Sequence, residues 1–379
     1  MKRPFRIIAL LLAAAVLMSF VAACGDDDDD GDTPTATAAT GTDAPATAAA
    51  SPSAEASPTA ATEASPSMAG GSGEMTDISL ALDWYPWGNH TGIYMALENG
   101  YFEDEGLNVD VHVPADPTTA LQLVATGDDD FTISYQADVL YARAQGLGIK
   151  SVAALVQHPL NTIMALESSG IKEPADLKGK TVGITGVPSD EAMLGAVLED
   201  AGLSLDDIKT VNVGFDLMPS LLGGSVDAII GGYFVHESIL AEQQGKPVVA
   251  MNVHDYGVPD YYELLMVTSD TFADEHPDAV EGFIRALQRG YAAAAADPDA
   301  AVDALVAAYP ETAEDVERQG ISLIVPLWTD NGSVPWGTQT EERWQSYEEW
   351  LRDNGLLEKD IDVNDAFTNE FVEKANTAP

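Results

Sequence analysis

Cysteine occurs once in 379 residues, at Cys24, so neither a disulfide framework nor a cysteine-based metal site is available to this chain alone. Basic residues are scarce: 17 Lys+Arg stand against 62 Asp+Glu, a formal net charge of −45. A phosphate backbone requires a clustered basic surface, which excludes nucleic acid as a partner. The six histidines are scattered, with no pair at metal-ligand spacing on one helix, and Gly231-Gly232 lacks the lysine and hydroxyl of a phosphate loop. Glu103 and Glu105 flank a turn and read as solvated charges. What remains is an acidic globular protein long enough for two domains.

The first residues have a targeting pattern. Lys2, Arg3 and Arg6 precede an apolar run from Ile7 to Ala23, and the run ends Val21-Ala22-Ala23-Cys24. A basic start, a short apolar middle and small residues before a cut make a secretory signal over residues 1–23. The Val-Ala-Ala-Cys ending resembles a bacterial lipobox, which implies lipidation of Cys24 and attachment to the outer face of a cytoplasmic membrane. Residues 24–75 then hold a five-residue Asp block at 26–30 and a stretch dominated by Ala, Thr, Ser and Pro without an aromatic. Too little apolar surface is present to offset chain entropy, so this segment reads as a tether reaching about 40 Å if flexible. The Asp block lacks the Gly turn and distal Glu of a calcium loop.

From Thr76 onward strand and helix signals alternate. Strands are expected at 78–82, 107–113, 131–134 and 149–156, with helices at 90–105, 118–126 and 137–145 between them, a pattern of crossover units and a parallel sheet. The alternation restarts at Asn161 and runs to 253, and a strand near 262–267 returns before a mostly helical tail. The division is lobe 1 at 76–160, lobe 2 at 161–262, and 263–379 as the return to lobe 1 with C-terminal helices. The fold class is α/β, and such sheets bind ligands beyond the carboxyl ends of their strands.

Aromatic and carboxylate or carboxamide residues collect just after those strand ends. Asp83 and Trp84 lead into Tyr85-Pro86-Trp87-Gly88-Asn89-His90, and Ser134 into Tyr135-Gln136. In the second set come Gly186-Val187-Pro188-Ser189, Gly214-Phe215-Asp216, Tyr233 with Glu237, and Gly257 to Glu263 with Tyr261 and Tyr262. Flat rings grip a flat ligand by stacking, and a few fixed polar groups read its edge.

Four motifs, Leu-Asp-Trp-Tyr-Pro at 82–86, the following Asn-His-Thr-Gly-x-Tyr, Val-Gly-Phe-Asp-Leu at 213–217 and Gly-Val-Pro-x-Tyr-Tyr-Glu-Leu at 257–264, resemble the NMT1/THI5-like substrate-binding lipoproteins of ABC importers. That group includes formylaminopyrimidine-binding and riboflavin-binding subunits. The resemblance implies a periplasmic-binding-protein fold of type II, two α/β lobes joined by two crossing strands and closing on a ligand. It implies partnership with a membrane permease and its ATPase subunit, a monomer, a membrane contact through the lipid anchor, and no cofactor. The implied ligand is a small heteroaromatic vitamin or precursor, riboflavin or the thiamine pyrimidine precursor, with a sulfonate as alternative.

By motif, the implied ligand-binding residues are Asp83, Trp84, His90, Tyr135, Gln136, Pro188, Asp216, Tyr233, Glu237, Tyr261 and Glu263. Trp84 is the stacking face, and His90 either donates to ligand or caps a helix. The 186–189 turn offers backbone N–H groups, Glu237 accepts from an amine or ring N–H, and the 261–263 residues serve pocket or hinge. The same group contains pyrimidine synthases, enzymes whose cofactor lysine and consumed histidine align with Ser134 and Asp138 here. Without that amine, Schiff-base chemistry is not expected.

Overall fold

The period-two runs form strands because alternate side chains of β-branched and aromatic residues bury on one face of a sheet. The computed structural model describes residues 75–377. The expected leader, the expected lipidation at Cys24 and the expected tether up to residue 74 lie outside these residues. β1 (Thr76–Ala81) is followed by α1 (Thr91–Glu98) and α2 (Tyr101–Asp104), then β2 (Leu107–His112), α3 (Ala120–Thr126), β3 (Phe131–Ser134), α4 (Gln136–Gln145) and β4 (Ile149–Val156). The expected single helix from 90 to 105 is broken at Asn99-Gly100, where Gly100 takes a left-handed φ of 68° that ends one helix and starts the next.

The second set runs β5 (Asn161–Leu166), β6 (Thr181–Ile184), α5 (Pro188–Asp200), β7 (Lys209–Asn212), α6 (Leu217–Gly223), β8 (Ala228–Tyr233), α7 (Glu237–Gln243) and β9 (Val248–Asn252). β10 (Leu264–Ser269) returns, and α8 (Asp270–Glu275), α9 (Pro277–Ala296), α10 (Pro298–Ala308), α11 (Glu314–Ile324), α12 (Glu341–Asp353) and α13 (Glu370–Thr377) complete the chain. None of these helices is long and apolar enough to cross a membrane.

Two five-stranded sheets result, in the orders β2-β1-β3-β10-β4 and β7-β6-β8-β5-β9. Both are mixed, which corrects the expectation of parallel sheets. β10 is inserted between β3 and β4 and runs antiparallel to each, and β5 lies antiparallel between β8 and β9. The reason is connectivity: a strand entering a sheet from the other lobe arrives from the opposite end. This is the type II periplasmic-binding-protein fold, with two crossings between lobes, at residues 157–160 and 253–263.

All six residues of β10 are buried, so the returning strand forms the centre of the lobe 1 core together with Phe131, Phe283 and Leu287. Phe131 and Phe283 stack at 4.0 Å between centroids. Burial of side chains of this size stabilises by about 1.5–3 kcal/mol each. α9 lies so close to α1 that a Cβ on Gly290 would sit 2.1 Å from the Gly92 carbonyl oxygen. That approach fixes the start of α1, and with it the loop after β1. The C-terminal region does not belong to lobe 1 alone. Tyr347 and Trp344 of α12 pack on the crossing residues Tyr261 and Tyr262, and Leu356 reaches the Leu205 region of lobe 2.

Candidate interlobe binding cleft

The strand ends of both lobes face each other across a narrow, nearly closed cleft with a cavity volume of about 30 Å³. Lobe 1 contributes Asp83, Trp84, Trp87 and Tyr135; lobe 2 contributes Asn161, Thr185, Val187, Ser189, Asp190, Met193, Gly231, Tyr233 and Glu237; Glu263 comes from the return crossing. No lysine or arginine is among them.

Asp83 leaves β1 with both oxygens engaged. His90 Nε2 lies 3.0 Å from Oδ1, and the Tyr135 hydroxyl donates to Oδ2 at 3.3 Å. His90 Nδ1 accepts the Trp87 backbone N–H at 3.2 Å, which puts the ring proton on Nε2 and makes His90 the donor to Asp83. His90 is fully buried and serves the helix start, one of its two expected roles, and orients Asp83 from beneath.

Asp190, in the first turn of α5, accepts the backbone N–H and the hydroxyl of Thr185 on one oxygen, Oδ2, both at 2.7 Å. Its Oδ1 has no hydrogen-bond donor among the described residues and lies beside Gly231. Burial raises its pKa to about 6 against the opposing Thr185 bonds. Glu263 is more heavily engaged. Leu160 and Asn161 N–H groups donate to Oε2 at 2.6 and 3.0 Å, Tyr261 OH at 2.9 Å, and Tyr233 OH donates to Oε1 at 3.1 Å. Burial nevertheless lifts its pKa to about 7. Burial likewise holds the Tyr233 and Tyr261 hydroxyls well above their usual range, so they remain donors.

Of the residues expected from sequence, Asp83, Trp84, Tyr135, Tyr233, Glu237 and Glu263 line the cleft. The other five do not. Gln136 is buried behind it, accepting the Tyr262 N–H at 2.8 Å. Tyr261 is fully buried in the hinge against Tyr347. His90 lies below Asp83. Pro188 is the exposed first residue of α5 and borders side cavities instead, because the helix turns its next residues inward. Asp216 is exposed at the start of α6, and its neighbour Phe215 points to the cleft mouth. Phe215 meets Trp84 edge-on at 4.7 Å and Tyr85 at 5.0 Å, so lobe 1 rings clasp a lobe 2 ring over the opening.

Sequence reasoning missed Asn161, Thr185, Asp190 and Met193 as cleft residues, and it placed Trp87 in the run after the first strand without assigning it to the ligand. Asp190 follows directly on the quoted Gly186 to Ser189 turn, where an acid in the first turn of a Pro-started helix was the available signal. Ser134 and Asp138 border a side cavity, and Asp138 accepts from the backbone and hydroxyl of Ser189 at 3.1 and 2.6 Å across the lobes. Among the described residues no group of three or more His, Cys, Asp or Glu side chains is placed to hold a metal ion.

Residues 87–301 match the family model described as NMT1/THI5 like. The chain belongs to the NMT1/THI5-like family. Among its relatives is the formylaminopyrimidine-binding protein of Halalkalibacterium halodurans, 36% identical over 296 residues that cover 77% of this chain and 89% of that protein. A riboflavin-binding protein of Chloroflexus aurantiacus is 29% identical over 307 residues, 79% of this chain and 86% of that one. In fold, the chain is similar to the alkanesulfonate-binding protein of Xanthomonas axonopodis pv. citri bound to MOPS, with a TM-score of 0.62 and 17% identity over 78% of this chain and 99% of that one. These NMT1/THI5-like relatives and this structural neighbour are solute-binding proteins, and the cleft just described is where such a protein would take its solute.

Proposed function

We propose that this chain is the extracytoplasmic substrate-binding lipoprotein of an ABC importer, and that it captures a heteroaromatic vitamin precursor bearing N–H donors, of the formylaminopyrimidine type. The observation that carries the ligand class is the open Oδ1 of Asp190, set among the rings of Trp84, Trp87, Tyr135 and Tyr233. A cleft with four carboxylates and no basic side chain accepts hydrogen bonds; it suits an aminopyrimidine, whose exocyclic amine donates. A sulfonate or nitrate would meet repulsion from Asp83, Asp190, Glu237 and Glu263. Riboflavin is the second reading, supported by the 29% identical relative.

Under this reading Cys24 carries the lipid, including a palmitate, residues 24–75 are the tether, and the closed monomer docks on a permease whose ATPase subunit supplies the energy. Reversible capture is sufficient for such a role, so no catalytic step is assigned. Asp138, where the family's synthases would place their histidine, is committed to Ser189 across the lobes, which supports a binding role over an enzymatic one.

Titration calorimetry with formylaminopyrimidine, riboflavin and an alkanesulfonate tests the ligand class. The pyrimidine is expected to bind most tightly and Asp190→Asn to weaken it. Tightest binding of the sulfonate would overturn the reading, and a yellow preparation would replace the pyrimidine with flavin. Loss of membrane association in Cys24→Ser tests the anchor.

A further inference from the structure

Next to the Glu263 hub, which accepts the Tyr233 hydroxyl, a continuous chain of polar contacts joins the two lobes at the cleft wall. It starts in lobe 1, where the Gly88 N–H, next to Trp87, donates to Glu317 Oε2 at 2.6 Å. Glu317, on α11, bonds through Oε1 to His236 Nε2 of lobe 2 at 3.0 Å. His236 Nδ1 bonds to Glu237 Oε1 at 2.9 Å, and Glu237 Oε2 accepts the Tyr233 N–H at 2.8 Å. Glu237 and Glu317 are buried, and the His236 side chain is only 15% exposed. The chain therefore ends on Tyr233 and Glu237 and begins beside Trp87, three residues that line the cleft.

Two features show how tight this junction is. The Trp87 ring lies 5.6 Å from both Tyr233 and His236. A Cβ on Gly320 of α11 would sit 2.4 Å from the Val235 carbonyl oxygen of lobe 2, so only glycine allows the two backbones to meet here.

We propose that Glu317, His236 and Glu237 form an ionic latch that holds the cleft shut, with His236 and Glu317 acting as positioning residues for the Trp87, Tyr233 and Glu237 walls. A cation bonded to one carboxylate from each lobe is stable only while both lobes are apposed. Opening would expose it to water, and removing it would leave two buried carboxylates facing each other without compensation. Burial works against the charge on His236, but Glu237 and Glu317 outweigh it and push its pKa up to about 10. The latch requires the two-lobed fold and does not depend on the ligand assignment.

Hydrogen exchange on the full chain without added ligand tests it. His236→Gln and Glu317→Gln are each expected to raise exchange by at least about tenfold in segments 85–92 and 233–240, while amides of α9 are unchanged. The double variant should exceed neither single one, since both break the same link. Gly320→Ala leaves every charge in place and suits a helix interior, so it should loosen the same two segments by steric wedging alone; it carries the test if His236→Gln does not fold. Unchanged exchange in these segments, or an increase spread equally over α9, overturns the latch. Dissociation of formylaminopyrimidine or riboflavin, followed by tryptophan fluorescence, should quicken in the same variants. If neither compound binds, the ligand reading fails and the exchange result still decides the latch.

Discussion

The hinge and the mouth of the cleft both connect lobe 1 to lobe 2, and they do so by different physics. At the hinge the chain itself crosses twice, and Glu263 gathers the N–H groups of Leu160 and Asn161, the Tyr261 hydroxyl of its own crossing and the Tyr233 hydroxyl at the end of β8. His158 and Arg343 flank it, both paired with Asp260 at 2.8 and 3.0 Å, and the Arg343 guanidinium also donates to the Gln157 carbonyl and covers the Tyr262 ring. At the mouth nothing covalent crosses. Away from the crossings closure rests on the His236 bridge, on the Ser189 bonds to Asp138 and on Phe215 held between Trp84 and Tyr85. A saturated network that never needs to open is a permanent fixture, whereas contacts that water can replace make a reversible closure.

The largest effect should come from breaking the permanent side. Glu263→Ala removes one carboxylate and strands four donors, and a loss of roughly 3–5 kcal/mol is expected in urea unfolding. Glu263→Gln, which keeps most acceptors, should lose less; a loss below about 1 kcal/mol in the alanine variant would show that the hinge does not depend on this hub. Within the cleft, Asp190→Asn should cost about 1.5–3 kcal/mol of pyrimidine affinity, read by calorimetry, with a smaller effect on folding. Trp84→Ala and Phe215→Ala each remove one side of the mouth clasp. About 1–2 kcal/mol of affinity should go, and unfolding midpoints should barely move; the reverse pattern would assign the clasp to folding instead of capture.

The broadest effect is the pH dependence, which is spread over four buried groups. Asp138, Asp190 and Glu263 have pKa values raised to about 7, 6 and 7, chiefly by burial, and His236 is raised to about 10. All four bind protons more tightly folded than unfolded, so stability falls as pH rises. The carboxyl contribution is full below about pH 4 and lost by about pH 7, and that of His236 is full below about pH 6.5 and lost through pH 10. Thermal unfolding at a series of pH values should show a midpoint that declines from pH 5 to pH 10. In Glu263→Gln the lower part of the decline should flatten, and in His236→Gln the upper part.

Much of the fold was legible, for local reasons. The strands at 131–134 and 149–156 match their sequence signals residue for residue, because turn-formers or helix starts bound short apolar runs there. Sheet order was not legible, since β10 carries the same apolar pattern whether it runs parallel at an edge or antiparallel in the middle. Among site residues, Tyr233 and Tyr261 look alike in sequence, each an aromatic beside a strand. One lines the cleft and the other is sealed in the hinge, a difference set by which neighbour packs against each ring. Asp190 was passed over because nothing local distinguishes an acid capping its own turn on both oxygens from one with an oxygen to spare.

The sequence by itself determined the alternation of strands and helices, the two-lobed family fold, the exclusion of an intrachain disulfide, and the gathering of rings and acids after strand ends. These follow from short-range periodicity and from counting. Only the tertiary structure decided which acids are spent on the protein and which remain open, and that Glu317 meets Gly88, 229 residues earlier in the chain, and His236, 81 residues earlier. Hydrogen bonds form by distance in space, and the packing of whole helices and sheets sets that distance for residues so far apart along the chain.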